Sequence, residues 1–580
     1  MWNILKDVTS RNYRKDTSPD IVNEDTANRF NNFFSTVGTQ VQKKLNKYFN
    51  KPLLNPEGIF CFHPETTEKI EQLIQRIKPS VATGIDELPA RLIKEATPVI
   101  AEDLKNMVNL SYETKIFPDK LKIATVKPIH KKGGNNEPEQ YRPISILTIL
   151  SKIFERSAVD QMITYYNANK LLSPRQHAYR KNHSTTTSLF ELTETIKKHI
   201  DKGNLVAIAA LDLSKAFDSL AHHLILQKLD KMGLNKTATL WIESYLGNRK
   251  QFVRFGKIKS EMRNVKSGVP QGSILGPLLF ITCTNDLYEE LHDYDTFTYA
   301  DDMQIVIAGK NAKELGEKLE LAIKSANTYY NNNSLLCNPT KTEVMLLGTK
   351  NRLNNSGPLK VQVTNGEETK ILTGEESLKL LGIHIDQTLN WNKHTTHVKK
   401  KATDSIRNLH RINQLIPMKQ RRILYTSLVT PHFSYADIIW NNCGNANTNK
   451  IQQAQNFAAK SMLGLTKRSS STQALKRLEM IPLAAKRKIN LAVHVKKSLE
   501  GRAPENIQQI YKKQLSKMDN RAANRRDLNY PVHKLQQYQN GSLYTSIKVW
   551  NAVPLDLRNN NITTFKKKLQ TFTTKQYLEI

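Results

Sequence analysis

Residues 205–211 form a continuous apolar run, and this run is the clearest strand pattern in the chain. Its length and its aliphatic side chains predict a strand that is buried on both faces. Asp212 follows the run directly, and the residues after it turn toward a helix marked by Leu224, Leu226 and Leu229. The pattern therefore places a carboxylate at the end of a buried strand, where it is either a metal ligand or a helix N-cap.

Two shorter apolar runs, residues 296–300 and 303–308, flank the acidic pair Asp301 and Asp302. Strands on both sides of so short a segment predict a hairpin with the acids at its turn. A solvated turn is the ordinary interpretation of such a pair. Together with Asp212, however, the pair could surround two Mg²⁺ ions, an arrangement that suits in-line phosphoryl transfer.

Several other segments have a clear period. Residues 123–131 predict a strand that leads into a flexible loop, a second strand begins near residue 141, and residues 378–385 alternate like one strand. Residues 267–276 contain three glycines and a proline, which predicts a turn before a buried helix. Apolar positions three or four residues apart predict helices over residues 27–45, 315–329, 398–412, 451–463 and 475–491.

Composition points to a multilobed protein with a polyanionic partner. A chain of 580 residues is too long for one compact core. Its 86 Lys and Arg against 53 Asp and Glu give a formal charge of +33, which favours a nucleic acid as partner. The charge is uneven, because residues 387–580 hold 34 basic and 9 acidic side chains.

The spacing of the cysteines and the shortness of the apolar runs indicate the cellular compartment of the protein. The four cysteines lie far apart and form no CxxC or Cys/His cluster, as expected for free thiols in a reducing compartment. No run is long enough to span a bilayer, and the first residues lack an apolar signal core. We expect a soluble intracellular protein of the nucleus or cytoplasm with no membrane partner.

Three segments resemble motifs A, B and C of reverse transcriptases, in the family's order and spacing. They are ALDLSKAFD (210–218), SGVPQGS (267–273) and YADD (299–302). Further segments are similar to the polymerases of LINE-type (non-LTR) retrotransposons of the jockey-like group. These are residues 82–86, 141–145, 176–180, 338–343 and 381–383. The clear resemblance covers residues 75–395, and weaker similarity continues to Trp550–Pro554.

This resemblance implies an α/β (α+β) right-hand polymerase fold, with a reverse transcriptase domain over about residues 110–386. The expected parts are an N-terminal linker with a helical segment (1–64), fingers (65–200), a palm with an antiparallel sheet backed by helices (201–390), a helical thumb (391–500) and a basic helical C-terminal extension (501–580). LINE-type proteins also carry an N-terminal endonuclease domain, which we expect this chain to lack because the segment before the fingers is short.

The resemblance also implies an activity and its residues. The activity is RNA-directed DNA synthesis from dNTPs, with the element's RNA as template and nicked DNA as primer and target. Two Mg²⁺ ions are the implied cofactors, with Mn²⁺ as a substitute. The implied catalytic residues are Asp212, Asp301, Asp302 and Lys341, and the metal ligands are Asp212, Leu213, Asp301 and Asp302. The implied nucleotide-binding residues are Lys131, Arg142, Ala216, Phe217, Gln271 and Gly272, and the template- or primer-binding residues are Gln176, Tyr179, Arg180, Leu381 and Gly382.

Alternatives stay open for several of these residues and for the whole protein. Lys131, Arg142 and Lys341 are equally well surface cations, and Phe217 is equally well a core residue. Ala178 stands where the family often has Gly, which leaves the geometry of the loop around it open. The chain could also be a domesticated relative that binds RNA without polymerising, or a protein similar to the maturases of group II introns.

Overall fold

The computed structural model describes residues 18–43, 58–131, 133–338, 341–365, 368–515, 527–539 and 541–579. Helices and strands alternate along its first two thirds, and the last third is helical. The strands of the described residues are β1 (Ile123–His130), β2 (Tyr141–Ile146), β3 (Leu205–Leu211), β4 (Leu213–Ser214), β5 (Arg249–Phe255), β6 (Ile258–Lys259), β7 (Arg263–Val265), β8 (Asp295–Tyr299), β9 (Asp302–Gly309), β10 (Leu336–Cys337), β11 (Glu343–Leu347), β12 (Lys360–Asn365), β13 (Glu368–Thr373), β14 (Ser377–Leu380) and β15 (Ile383–Asp386).

The α-helices fall into an N-terminal, a central and a C-terminal group. The N-terminal group is Glu24–Lys43, Thr67–Arg76, Ala90–Glu95, Thr97–Thr114, Ile149–Ala168 and Thr185–Asp201. The central group is Ala216–Ser219, His222–Lys231, Lys236–Leu246, Gly276–Cys283, Leu287–Glu290, Ala312–Asn332 and Lys350–Asn354. The C-terminal group is Asn392–Ile412, Met418–Leu428, Thr430–Ser434, Gly444–Met462, Ser471–Arg477, Leu483–Leu499, Glu505–Lys512, Gln536–Gln539, Ser542–Asn551, Leu555–Arg558 and Ile562–Glu579.

The central sheet has the antiparallel order β11-β3-β9-β8. Strand β3 is buried on both faces, as its continuous apolar run predicts. One face, with Ala207 and Ala209, belongs to the core that contains helix Ala312–Asn332. The other face, with Val206 and Ile208, packs toward helix Thr185–Asp201 and the C-terminal helices. The predicted strands 205–211, 296–300 and 303–308 are thus confirmed.

A second sheet has the order β2-β1-β5-β6, with β7 also paired to β5. Strands β1 and β2 are antiparallel, whereas β1 and β5 are parallel. The predicted N-terminal helix is confirmed as Glu24–Lys43, and it packs against this sheet. Phe30 makes edge contacts with Tyr141 and Phe255 at ring distances of 5.0 and 5.2 Å. Residues 249–265, within the predicted palm, therefore share a core with the N-terminal helix.

The C-terminal helices on the two sides of residue 500 share one core. Helix Leu483–Leu499 contacts both Ser542–Asn551 and Ile562–Glu579. Trp550 and Phe565 are buried between these helices, with their rings 5.9 Å apart. A truncation after Glu500 would remove buried residues of this shared core. The effect of the positive charges after residue 500 is therefore better tested by substituting individual side chains.

Two local predictions were wrong. Residues 378–385 form the hairpin β14–β15, not one strand, because Leu381 (φ 44°) and Gly382 (φ 87°) both adopt the left-handed conformation that a tight hairpin turn requires. Apolar alternation continues through this turn, so periodicity does not detect it. Residues 475–491 span two helices, with a break that ends at Pro482.

The remaining sequence features concern membranes and the basic linker. In the ranges that the structure describes, no helix has both the length and the apolar character needed to cross a bilayer. The basic side chains of residues 521–531 predict a linker, and most of this stretch lies outside the described residues.

Candidate active site

Two turns at one edge of the central sheet carry the three acidic residues. Asp212 follows β3, and Asp301 lies in the turn between β8 and β9. Because Leu211 pairs with Met303, the end of β3 runs beside Asp302, the first residue of β9. Ala300 has φ 56°, a conformation that costs free energy for a residue other than glycine. Tertiary contacts therefore hold the acidic turn in a strained shape.

The acidic residues influence one another electrostatically. Burial raises the pKa of Asp301, and the charge of Asp212 adds to the shift. Burial, Asp301 and Asp212 together raise the pKa of Asp302 to about 6, although part of this side chain is open to solvent. Such crowding of like charges favours a bound cation, and carboxylate oxygens are the ligands that Mg²⁺ prefers.

Asp212 is paired with a cation of the protein itself. Lys341 Nζ donates to Asp212 Oδ2 at 2.6 Å.

Within the described ranges, no group of three or more His, Cys, Asp or Glu side chains has the arrangement of a metal site. Leu213 is buried, and its strand β4 pairs with β10 at Cys337.

One cation of the β1–β2 hairpin interacts with the acidic residues, and a second interacts with the first. Arg142 on β2 is exposed and interacts electrostatically with Asp301 and Asp302. Lys131 directly follows β1, and its main-chain N–H donates to the carbonyl of Gln140 at 2.8 Å. Partial burial, Lys215, Arg142 and Lys341 lower the pKa of Lys131 to about 8. Arg142 and Lys341 thus interact with the acidic residues, and Lys131 and Lys215 interact with one another and with Lys341. Lys215 was not predicted.

Phe217 is held by aromatic contacts on two sides. Its ring stacks on Phe280 at 4.7 Å and 16°, and Tyr179 makes an edge contact at 6.4 Å. Phe217 is partly buried, whereas its neighbour Ala216 is fully inside the core. Both interpretations of Phe217, as a core residue and as a wall of the site, are compatible with this position.

The loop of residues 267–273 lies against the segment that carries Asp212. Gln271 Nε2 donates to both carboxylate oxygens of Asp218, at 2.9 and 3.0 Å. Burial raises the pKa of Asp218 to about 6. Gly272 has φ 123°, and a Cβ on it would meet the carbonyl oxygen of Ser145 at 2.5 Å. Only glycine fits this close approach between the loop and β2.

The predicted template loop combines bracing residues with one exposed aromatic. Gln176 is buried, and its Oε1 accepts hydrogen bonds from the N–H groups of Ala178 (2.9 Å) and Ala300 (3.2 Å). The guanidinium of Arg180 donates to the carbonyls of Ser173 and Gln176. Ala178 is fully buried outside the left-handed region, so alanine is accommodated there. Tyr179 is 50% exposed, and burial and Asp301 raise its pKa.

The β14–β15 hairpin approaches the acidic turn through a tyrosine of the C-terminal helices. Tyr435 Oη donates to the carbonyl of Leu381 at 2.5 Å, and the Tyr435 ring lies beside Gly382. Burial and Tyr435 raise the pKa of Tyr299, the last residue of β8. Tyr435 therefore links Leu381 and Gly382 to the strand that leads into the acidic turn.

Two supporting acids were not assigned a role from the sequence. Glu155 is fully buried, and its Oε2 accepts from the N–H groups of Ile274 (2.6 Å) and Leu275 (3.0 Å). Glu155 thereby holds the start of helix Gly276–Cys283. In the sequence, the only indication of this role is an acidic residue among the apolar positions of a helix. Asp218 orients Gln271 as described above, and its position within the motif A segment could have drawn attention to it.

Comparison with known proteins shows which family the segment around this site resembles. The sequence profile of the reverse transcriptase (RNA-dependent DNA polymerase) family matches residues 129–385. The chain is 28% identical over 455 residues to the probable RNA-directed DNA polymerase from transposon BS of Drosophila melanogaster, a match that covers 76% of this chain and 49% of the relative.

Two further relatives from Drosophila melanogaster are similar to the chain over a comparable length. Identity is 25% over 439 residues to the probable RNA-directed DNA polymerase from transposon X-element (74% of this chain, 47% of the relative). It is also 25% over 404 residues to the RNA-directed DNA polymerase from mobile element jockey (67% and 43%). The chain spans about half the length of these curated relatives. Residues 129–385 are therefore a reverse transcriptase domain, and the chain is similar to the RNA-directed DNA polymerases of jockey-like non-LTR transposons.

Proposed function

We propose that this chain is an RNA-directed DNA polymerase that extends a DNA primer on an RNA template with dNTPs. One observation carries the proposal: Asp212, Asp301 and Asp302 interact with Lys341 and Arg142, and these two cations interact in turn with Lys131. Transfer of a nucleotidyl group needs a triphosphate held by cations next to acidic metal ligands.

The polymerase parts follow from the two sheets and the C-terminal helices. We assign the central sheet β11-β3-β9-β8 to the palm and the β1–β2 hairpin to the fingers. We assign helix Asn392–Ile412 and the helices packed on it to the thumb. This arrangement would place the primer terminus near the β14–β15 hairpin and the template near exposed Tyr179.

The described side chains are not arranged as a metal site, but the donors of the acidic cluster are hard oxygens in mutual repulsion, which is the chemistry that divalent cations neutralise. Asp212, Asp301, Asp302 and the main-chain carbonyl of Leu213 would hold two Mg²⁺ ions, or Mn²⁺ in their place. Such ions, when bound, supply activation of the primer hydroxyl and charge neutralisation at the phosphates. Lys341, now on Asp212, would be released to the leaving pyrophosphate and could donate a proton to it.

The test is primer extension by the purified protein on poly(rA)/oligo(dT) with Mg²⁺ and dTTP. Products longer than the primer that depend on the RNA strand support the proposal. RNA binding without any extension would replace it with the alternative of a non-polymerising RNA-binding relative.

The pKa of Lys131 leads to a pH prediction. Its ammonium is charged below a pKa of about 8 and neutral above it, so binding of the triphosphate should weaken as pH rises through 8. We expect kcat/KM for dNTP to fall on the alkaline side, and Lys131→Arg to move this fall to higher pH because arginine stays charged. Coinciding alkaline limbs for the two enzymes would show that Lys131 does not bind the triphosphate.

The basic C-terminal surface leads to a salt prediction. Lys566, Lys567 and Lys568 are exposed, while Phe565 and Leu569 of the same helix are buried. Reversal of the three lysines to Glu should weaken template–primer binding. It should also flatten its salt dependence by nearly one unit of slope per lost duplex phosphate contact, and about 0.7 per single-strand contact.

Substitution of the same three lysines by Gln is the graded control. We expect it to lower the slope of the salt dependence by an intermediate amount and to leave the circular dichroism spectrum unchanged. If affinity and slope stayed at wild-type values in the Glu variant, the charge of this helix would serve solvation alone.

A further inference from the structure

Lys215 has a conformation and surroundings that no role assigned so far explains. It lies three positions after Asp212, at the start of the short helix Ala216–Ser219, with φ 53°. Its Nζ is buried and has no hydrogen-bond partner among the described residues. A buried ammonium without an acceptor costs stability, so its retention in the site needs a separate reason.

The N-terminal helix Glu24–Lys43 holds Lys215 in place. Lys215 Nζ lies 5.0 Å from the centre of the Phe33 ring, an attractive cation–π distance. Two further contacts join this helix to the same segment. Gln42 Nε2 donates to the carbonyl of Ser219 at 2.9 Å, and a Cβ on Gly38 would lie 1.8 Å from the carbonyl oxygen of Asp218.

The charged groups around Lys215 come from three elements. The carboxylates of Asp218 and Glu139 attract it, whereas Lys341 repels it, and Lys215 in turn repels Lys131. Asp218 is already engaged by Gln271, and Glu139 makes no hydrogen bond to Lys215 Nζ within the described residues. Lys215 is thus a cation of the site with free donors.

We propose that Lys215 is an additional triphosphate-binding residue, whose ammonium leaves its buried position against Phe33 of the N-terminal helix to donate to the phosphates of the incoming dNTP. The inference rests on the proposed function, because it takes the dNTP as the ligand. It also makes the N-terminal helix, which lies outside the matched residues 129–385, a part of the nucleotide site.

The decisive variant is Lys215→Met, which keeps an unbranched side chain of similar length and removes the charge. We expect the KM for dNTP to rise about ten- to a hundredfold, as for loss of a charge-assisted hydrogen bond, with kcat within about threefold of wild type. The melting temperature should stay equal or rise, because the variant removes an unpaired buried charge. A residue with only a structural role would instead lower the melting temperature and leave KM unchanged.

Two further variants complete the comparison. Lys215→Arg keeps the charge and should retain a KM close to that of wild type. Lys313→Met removes an exposed lysine on helix Ala312–Asn332 and should change neither quantity. An unchanged dNTP KM in Lys215→Met, or an equal loss in Lys215→Met and Lys215→Arg, would overturn the proposal.

Calorimetric binding of inorganic tripolyphosphate separates this inference from the proposed function. A weakened Kd in both Lys131→Met and Lys215→Met supports both. A weakened Kd in Lys131→Met alone overturns the role of Lys215 and leaves the polymerase proposal standing. If neither variant changed the Kd and the wild type extended no primer, both proposals would fall.

Discussion

The Asp301→Asn variant is expected to lose DNA synthesis by about a thousandfold or more while it keeps its fold and its affinity for RNA. The substitution removes a negative charge from the acidic turn at nearly constant size, and it relieves the repulsion with Asp302. Loss of one ligand to a catalytic cation costs several kcal/mol of transition-state stabilisation, and each 1.36 kcal/mol is about a tenfold change in rate.

The measurement is single-nucleotide addition under saturating dNTP, with RNA affinity and melting temperature recorded on the same preparation. Asp293→Asn is the matched control, because Asp293 is an exposed acid that precedes the same hairpin and should tolerate the change. Primer extension by Asp301→Asn at a rate near that of wild type would refute the assignment of the acidic cluster as the cation site.

The Phe217→Val variant is expected to admit ribonucleotides, with a fall of the dNTP/rNTP selectivity ratio by about ten- to a hundredfold. The aromatic ring is fixed by its stack on Phe280, so it cannot move away from a ribose 2′-hydroxyl. Steric overpacking of this kind costs typically 1–3 kcal/mol, which the smaller side chain would relieve for rNTP. Use of dNTP should fall modestly because contacts to the sugar are lost.

The selectivity ratio is measured as kcat/KM for dTTP over that for UTP. Phe190→Val is a suitable control, because Phe190 is buried on helix Thr185–Asp201 and should affect stability without changing the ratio. An unchanged ratio in Phe217→Val would mean that Phe217 serves packing alone and that the sugar is recognised elsewhere.

Local patterns were sufficient for the elements that carry the acidic residues. Strand β3 is buried on both faces, so its residues must all be apolar, and the end of that run marks Asp212. The β8–β9 hairpin has apolar residues on both sides of a short turn, so its position is encoded within fourteen or so neighbouring residues. The order of motifs A, B and C then led from these elements to the reverse transcriptase family.

Local patterns gave a wrong or incomplete prediction in two situations. In one, a short turn keeps the apolar alternation of a strand, and in the other, a side chain contacts a residue far away in the sequence. The β14–β15 turn at Leu381 and Gly382 keeps the apolar alternation, so the alternation predicts one continuous strand where the chain in fact reverses. The resemblance implies that Gln176 binds template or primer, yet its side chain is buried and braces Ala300, 124 positions away. Glu155 likewise owes its place to the N–H groups of Ile274 and Leu275.

By itself, the sequence determined strand β3 and the β8–β9 hairpin, the positions of the acidic residues on them, and that a polyanion is the expected partner. The spacing of apolar side chains depends on neighbouring residues, and the net charge depends on the composition. Both can therefore be obtained from the sequence before the fold is known. Only the tertiary structure decided that Lys341 pairs with Asp212, that Gln271 is oriented by Asp218, and that the N-terminal helix lies beneath Lys215. These contacts join residues that are distant along the chain, and their geometry depends on how the sheets and helices pack, which no local pattern records.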